Sequence, residues 1–225
     1  MTESIAIDKI IRSKRRTLSI EVHPQGEVIV RAPIRATKKD IHDFITDKLH
    51  WINKTLLRFK KRSVTVTEKH FISGEGFLFL GQSYVLQIID ENHSPFVFDE
   101  GFIITTAAQP RANVLLTNWY KEKAHELFHE RLTYFAPLLG VNYQRMRLSS
   151  ASKRWGSCSM RGNINLNWRL IMAPISIIDY VIVHELAHLR EMNHSPRFWQ
   201  LVSVILPDYA QSRAWLREFG DALVV

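Results

Sequence analysis

The stretch SIIDYVIVHELAHLREMNHSPRFW, residues 176–199, is the most informative part of this chain. It is apolar at most positions up to about residue 191, which predicts a helix over 176–191 that is buried on nearly all sides. On such a helix the imidazoles of His184 and His188, four residues apart, lie on one face with Cβ atoms about 6 Å apart. Two histidines at this spacing can chelate one Zn²⁺, and Glu185 is the matching candidate for a general base.

His194 is the candidate third metal ligand. Five residues separate it from His188, and Ser195-Pro196 directly after it predicts the N-cap and first residue of another helix. The chain has therefore left the first helix and can turn back toward the metal. Three protein ligands plus an open position for water are typical of catalytic zinc. Core histidines held by hydrogen bonds, or a His194 exposed at the surface, are the plainer alternatives.

A second HExxH motif occurs at His125–His129, so the motif alone does not identify the site. Residues of about 111–136 form a predicted long helix that ends near Gly140. Its apolar residues gather on one side, and His125 and His129 project from the other. We therefore expect this pair to be exposed, with no third ligand.

The N-terminal part of the chain predicts a hairpin and a helix. Two β-prone runs, TLSIEVH (17–23) and EVIVRAP (27–33), are joined by Pro24-Gln25-Gly26, a break of hairpin length. Thr37 is the predicted N-cap of a helix that continues to the basic run Lys60-Lys61-Arg62.

Strand-like sequence returns over 71–106, and two further strand candidates follow at about 145–150 and 162–167. The pattern predicts a β-rich N-terminal region with one helix and a basic excess over residues 1–108. A second domain is expected over residues 109–225.

Composition favours an intracellular globular protein. The chain has 225 residues, 46% of them hydrophobic, and no run approaches the ~18 apolar residues of a membrane span. The start places its charges after a short apolar run, so secretion is not expected. The single cysteine, Cys158, cannot form an internal disulfide, which fits the cytoplasm. We expect a buried thiol there, with a fourth, inhibitory metal ligand as the alternative.

The net charge of +8 is unevenly distributed. Residues 1–69 contain 16 Lys+Arg against 8 Asp+Glu, and the other 156 residues contain 14 of each. Such an excess predicts weak nucleic-acid binding through the N-terminal third. Solvated helix and hairpin faces are the alternative interpretation.

Residues 154–199 closely resemble the core of the YgjP-like metallopeptidases, relatives of the SprT-like zinc proteases. The resemblance extends more loosely to Trp51-Ile52 and to GEGFLFLGQSYVLQI, residues 74–88. It implies an α+β fold: a zincin-like catalytic domain of backing helix, small sheet and HExxH helix, preceded by a β-rich region. SprT-like relatives are associated with cleaving proteins attached to DNA, which fits the basic N-terminal third.

The resemblance also implies functional roles. In this family the corresponding residues bind zinc and supply the base, and the roles fall on His184, His188, His194 and Glu185. The implied function is a metallopeptidase that cleaves peptide or protein substrates by a water that Glu185 activates. The alternatives are a metal-dependent hydrolase of nucleotide phosphoanhydrides and a nucleic-acid-binding module with a structural metal.

Further residues are candidate contacts to substrate or to a developing oxyanion: Arg154, Trp155, Asn165, Tyr209 and Arg213. Asn165 lies in the strictly alternating run NINLN, residues 163–167. We expect this run to form the edge strand of the sheet, where an extended peptide can pair with it.

Overall fold

The parts of the chain that this computed structural model describes are residues 7–23, 26–65, 69–90 and 94–225, without the side chains of 58–65. The backbone separates into two compact units, Met1–Thr67 and Glu68–Val225. Each unit combines β-sheet with α-helix, so the predicted α+β class is confirmed. Within the described ranges, no helix has the length and apolar character needed to cross a membrane.

The first unit is a three-stranded sheet with one long helix. Its elements are β1 (Lys9–Ser13), β2 (Ser19–Val22), β3 (Val28–Pro33) and α1 (Lys38–Thr65). β3 is the middle strand and pairs antiparallel with β2, as the predicted hairpin requires; its turn residues Pro24 and Gln25 lie outside the described residues. The predicted cap of α1 is confirmed, since the Asp40 N–H donates to Thr37 Oγ1 at 3.1 Å and the Thr37 N–H to Asp40 Oδ2 at 2.8 Å.

The second unit opens with a sheet that packs on a long helix. Its first elements are β4 (Gly76–Phe79), β5 (Gln82–Ile89), β6 (Phe96–Phe98), β7 (Phe102–Thr105) and α2 (Ala112–Leu139). The strand order is β4-β5-β7-β6. The rings of Phe102 and Tyr120 lie 5.8 Å apart, and the Tyr120 hydroxyl donates to Leu78 O at 2.8 Å. Phe77, Phe102 and Ile104, which the sequence grouped with the N-terminal region, therefore share one core with α2.

The remaining elements build the part of the fold that carries the histidines. They are β8 (Arg145–Ser149), β9 (Gly156–Cys158), β10 (Asn163–Asn167), α3 (Ile175–Ala187), α4 (Pro196–Ile205) and α5 (Tyr209–Phe219). α2 ends at Leu139 and is followed by Gly140, whose φ of +62° is a left-handed conformation that glycine adopts without strain. Arg131 of α2 donates two hydrogen bonds, at 2.6 and 2.7 Å, to the carboxylate of Asp179. This bidentate pair ties α2 to α3.

The expectation that residues 163–167 form a sheet edge is wrong. They form β10, which pairs parallel with β8 on one side and antiparallel with β9 on the other. The alternating pattern correctly indicates that Ile164 and Leu166 are buried on one face. It does not report which sides of the strand are paired, because hydrogen bonding runs perpendicular to the side chains.

The predicted helix over 176–191 is shorter than expected. It ends at Ala187, beyond which the backbone tightens into i→i+3 hydrogen bonds. The predicted start of the next helix is confirmed, because Ser195 Oγ accepts the Phe198 N–H at 3.3 Å and Pro196 is the first residue of α4. Between these two helices the chain reverses within a short loop.

Candidate metal centre

His184 in the last turn of α3 and His188, the residue that caps this helix, lie on one face with ring centroids 5.0 Å apart. The loop after α3 then brings His194 back to them. The Nε2 atoms of His184 and His194 are 3.0 Å apart, and ligand atoms of all three residues lie within 4.8 Å of one another. Among the described residues, these three histidines are the only such group of potential metal ligands.

The donor chemistry of these three side chains fits a metal ion. Burial, with smaller effects from the other two histidines and Arg213, lowers the pKa of His184 to about 3. Burial likewise lowers the pKa of His188. Neutral imidazoles carry the lone pair that a metal requires. In addition, His188 Nδ1 lies 3.1 Å from Glu191 O, and donation to that carbonyl leaves Nε2 as the ligand atom.

Phe198 contacts all three imidazoles. Its ring centroid lies 4.9 Å from that of His184, 4.6 Å from that of His188 and 4.8 Å from that of His194, and its side chain is fully buried. Trp199 stacks on His194 at 5.6 Å and 24°. Neither aromatic residue was predicted from the sequence to lie at the site. The signal that could have found them is their position in the first turn of α4, directly after a candidate ligand.

Glu185 lies beside the histidines, only 5% exposed. Burial raises its pKa to about 8, although the positive charge of Arg154 opposes the shift. A divalent cation at the three imidazoles would add positive charge and favour the carboxylate form. A buried glutamate of this kind can accept a proton at neutral pH when a cation is present.

The other candidate contacts occupy different positions. Tyr209 stacks on Trp199 at 5.1 Å and 14°, and the Arg213 guanidinium lies 5.0 Å over the same ring. Trp155 lies against Gly220, where an added Cβ would be 2.9 Å from its ring. Asn165 lies on the middle strand β10 and donates to Ser157 Oγ at 3.2 Å. Tyr209 and Arg213 are thus linked to the histidines through Trp199.

The second HExxH motif and the cysteine lie outside the histidine group. His125 and His129 are exposed on α2, as expected, and His129 Nδ1 lies 3.4 Å from the Tyr143 hydroxyl. Cys158 is half-buried on β9, and burial together with the charge of Glu185 raises its pKa to about 11. Among the described residues, Cys158 is not part of the group of potential metal ligands.

Comparison with known proteins identifies the family. A sequence model described as "YgjP-like, metallopeptidase domain" matches residues 16–219. A UTP pyrophosphatase of Escherichia coli (strain K12) is 38% identical over 52 residues, which cover 21% of this chain and 31% of that protein, so the match spans about a third of its length. The zymogen of the metallopeptidase abylysin from Pyrococcus abyssi matches with a TM-score of 0.37 and 22% identity, over 40% of this chain and 93% of that one. The family match covers most of the sequence, and the chain belongs to the YgjP-like family of metallopeptidase domains.

Proposed function

We propose that this protein is a zinc-dependent hydrolase whose metal is held by His184, His188 and His194. The observation that carries the proposal is the convergence of three imidazoles beside one buried glutamate. Three nitrogen ligands suit zinc and leave a fourth position open. Other divalent transition metals also bind imidazole, so the identity of the metal is part of the proposal.

Bound zinc would lower the pKa of a coordinated water to ~7 and polarise the bond to be cleaved. Glu185 accepts the proton of the attacking water and returns it to the leaving group. Burial raises the pKa of Glu185 in the metal-free protein, and the positive charge of a bound cation would lower it again, toward the carboxylate form that a base requires. Tyr209 and Arg213 are the proposed donors to the developing oxyanion.

The proposed catalytic architecture is zincin-like. α2 corresponds to the backing helix, β8, β9 and β10 to the small sheet, and α3 to the HExxH helix. The Arg131–Asp179 ion pair supports this assignment, because it ties the backing helix to the helix that carries two ligands.

Cleavage of a peptide bond is the first candidate reaction, in line with the description of the family. The free edge of β9 supports it. The residues on either side of β9, Trp155 and Ser159, form backbone hydrogen bonds with β10. In an antiparallel ladder, every second residue of a strand bonds to the same neighbour. The N–H and C=O groups of Gly156 and Cys158 therefore point away from β10. Within the described chain no strand covers that side, and an extended peptide can pair there, next to Glu185.

Hydrolysis of a nucleotide phosphoanhydride is the second candidate reaction. Two observations favour it: the identity shared with a UTP pyrophosphatase, and the charges around the site. The positive charge of Arg154 lowers the pKa of Glu185, and that of Arg213 lowers the pKa of His184. Within the described residues, neither guanidinium forms an ion pair. Two cations whose charges act on Glu185 and His184 suit a polyphosphate better than a neutral peptide backbone.

A direct assay separates the two reactions. Zinc-loaded protein is incubated with a mixture of unstructured peptides and, separately, with nucleoside triphosphates, and products are identified by mass spectrometry. The Glu185→Gln variant is the control in both. Peptide cleavage that disappears in the variant supports the first reaction, and loss of pyrophosphate release supports the second. Absence of any Glu185-dependent hydrolysis would contradict the proposal as a whole.

We also propose weak nucleic-acid binding through the basic N-terminal third. Neutralising Lys60, Lys61 and Arg62, whose side chains lie outside the described residues, is expected to weaken binding to single-stranded DNA. It should also reduce the slope of log affinity against log salt by about 1 for each phosphate group that is no longer neutralised. Fluorescence anisotropy over a salt series measures both. The matched control neutralises three exposed arginines of the second unit, Arg145, Arg147 and Arg161; equal effects of the two triple variants would contradict the assignment.

A further inference from the structure

We propose that Gly156 is a positioning residue for Glu185: the missing side chain on β9 provides the space in which the glutamate lies. The inference rests on the proposed function only in treating Glu185 as the base. Gly156 has no side chain with which to bind a metal or a substrate, so its proposed effect is exerted through Glu185.

The contact involves the glutamate side chain from Cγ to Oε1. A Cβ added at Gly156 would lie 2.5 Å from Oε1, 2.6 Å from Cγ and 2.8 Å from Cδ of Glu185. Non-bonded carbon atoms pack at about 3.5–4.0 Å. Rotation of the carboxylate alone cannot relieve the overlap, because Cγ and Cδ are included. An alanine at position 156 would therefore displace the whole side chain.

The glycine is required for space rather than for backbone conformation. The glycines with positive φ among the described residues are Gly26, Gly74, Gly81, Gly140 and Gly162, and Gly156 is not one of them. Its backbone lies in strand β9 and has an extended conformation, which any residue can adopt. The proximity of Glu185 thus explains why the smallest residue is present.

Glu185 has little room to move elsewhere. It is 5% exposed, and its α3 neighbours Leu186 and Ala187 are fully buried. Along β9, side chains at alternate positions share a face, so Cys158 lies on the same face as position 156, and the charge of Glu185 acts on its thiol. A displaced carboxylate must leave the position from which it reaches the attacking water.

The proposal predicts that a substitution at Gly156 changes the position of the base and leaves the metal ligands unchanged. The three atoms nearest to a Cβ at position 156 all belong to Glu185, so Gly156→Ala should leave the histidines in place. Zinc affinity of the metal-free protein, measured against a competing chelator, is expected to stay within about threefold of wild type. Turnover is expected to fall by about 10²-fold, as for a catalytic group misplaced by about 1 Å.

A stability cycle tests the contact without any substrate. Urea unfolding midpoints are measured for metal-free wild type, Gly156→Ala, Glu185→Ala and the double variant. Glu185→Ala removes the three atoms that a Cβ would meet. We expect Gly156→Ala to lower the midpoint in the wild-type background and to leave it unchanged in the Glu185→Ala background. Should Gly156→Ala fail to fold, the double variant is expected to fold.

The matched control is Gly76→Ala, another strand glycine without positive φ, where an added Cβ meets only the tip of the Ser83 side chain at 2.8 Å. Its midpoint change should be the same in both backgrounds. The proposal is overturned if Gly156→Ala lowers the urea midpoint equally when Glu185 is alanine, or if Gly156→Ala keeps wild-type turnover. If Glu185→Gln proved fully active, the proposed function would fail, and the stability cycle would still decide this contact.

Discussion

The Glu185→Gln variant is expected to bind zinc and fold like the wild type while its turnover falls by about 10²–10⁴-fold, the usual contribution of a general base. Glutamine has nearly the same shape, so it fills the space against Gly156, but its amide cannot accept a proton. Because the packing against β9 is preserved, the fall in turnover reports proton transfer and not repacking. Activity is measured on the substrate that the peptide and nucleotide assays identify.

The chain supplies a matched control for this variant. Glu126→Gln changes the same residue type at the same position of the second HExxH motif, on the exposed face of α2. It should leave turnover within about twofold of wild type, because surface substitutions have small effects. Near-normal hydrolysis by Glu185→Gln, or an equal loss in Glu126→Gln, would show that the base has been assigned to the wrong residue.

The metal-free protein provides a second readout of Glu185. Burial raises the pKa of Glu185 from 4.5 to about 8, so between these pH values the folded state holds a proton that the unfolded state has released. Stability of the metal-free protein should therefore fall as pH rises through this window. Glu185→Gln, which does not titrate, should remove that part of the pH dependence in urea unfolding.

The sequence was sufficient where local periodicity determines the structure. The apolar surroundings of His184 and His188 predicted a buried helix, and the one-sided pattern around His125 and His129 predicted an exposed pair. Helical spacing fixes which side chains share a face, whatever the rest of the fold. The caps at Thr37 and Ser195 were predictable for the same reason, since a cap involves residues three apart.

Long-range pairing was not predictable in this way. The NINLN run predicted the correct strand, β10, but the wrong place in the sheet, because the pairing partners of a strand come from distant sequence. The contact between Gly156 and Glu185 and the burial of Phe198 under three imidazoles also join separate segments. Each depends on how β9 and α4 pack on α3, which local propensity does not specify.

Single alanine variants of His184, His188 and His194 are each expected to lower zinc affinity by about 10²–10³-fold. This follows if ~10–16 kcal/mol of binding free energy is shared among about four ligands, or about 2.5–4 kcal/mol per ligand. His194 differs from the other two because it lies on a loop, so its removal leaves the α3 pair intact. Affinity is measured by chelator competition on metal-free protein, and Co²⁺ absorption reports the change in coordination.

His125→Ala and His129→Ala are the matched controls, since they remove the same residue types at the same spacing from α2. They should keep wild-type affinity and one metal per chain, because among the described residues neither histidine belongs to a group of three potential metal ligands. Unchanged affinity in His194→Ala, alongside loss in His184→Ala, would remove His194 from the ligand set despite the 3.0 Å between their Nε2 atoms. Loss of zinc in His125→Ala would instead move the metal to α2, where no third ligand lies within reach among the described residues.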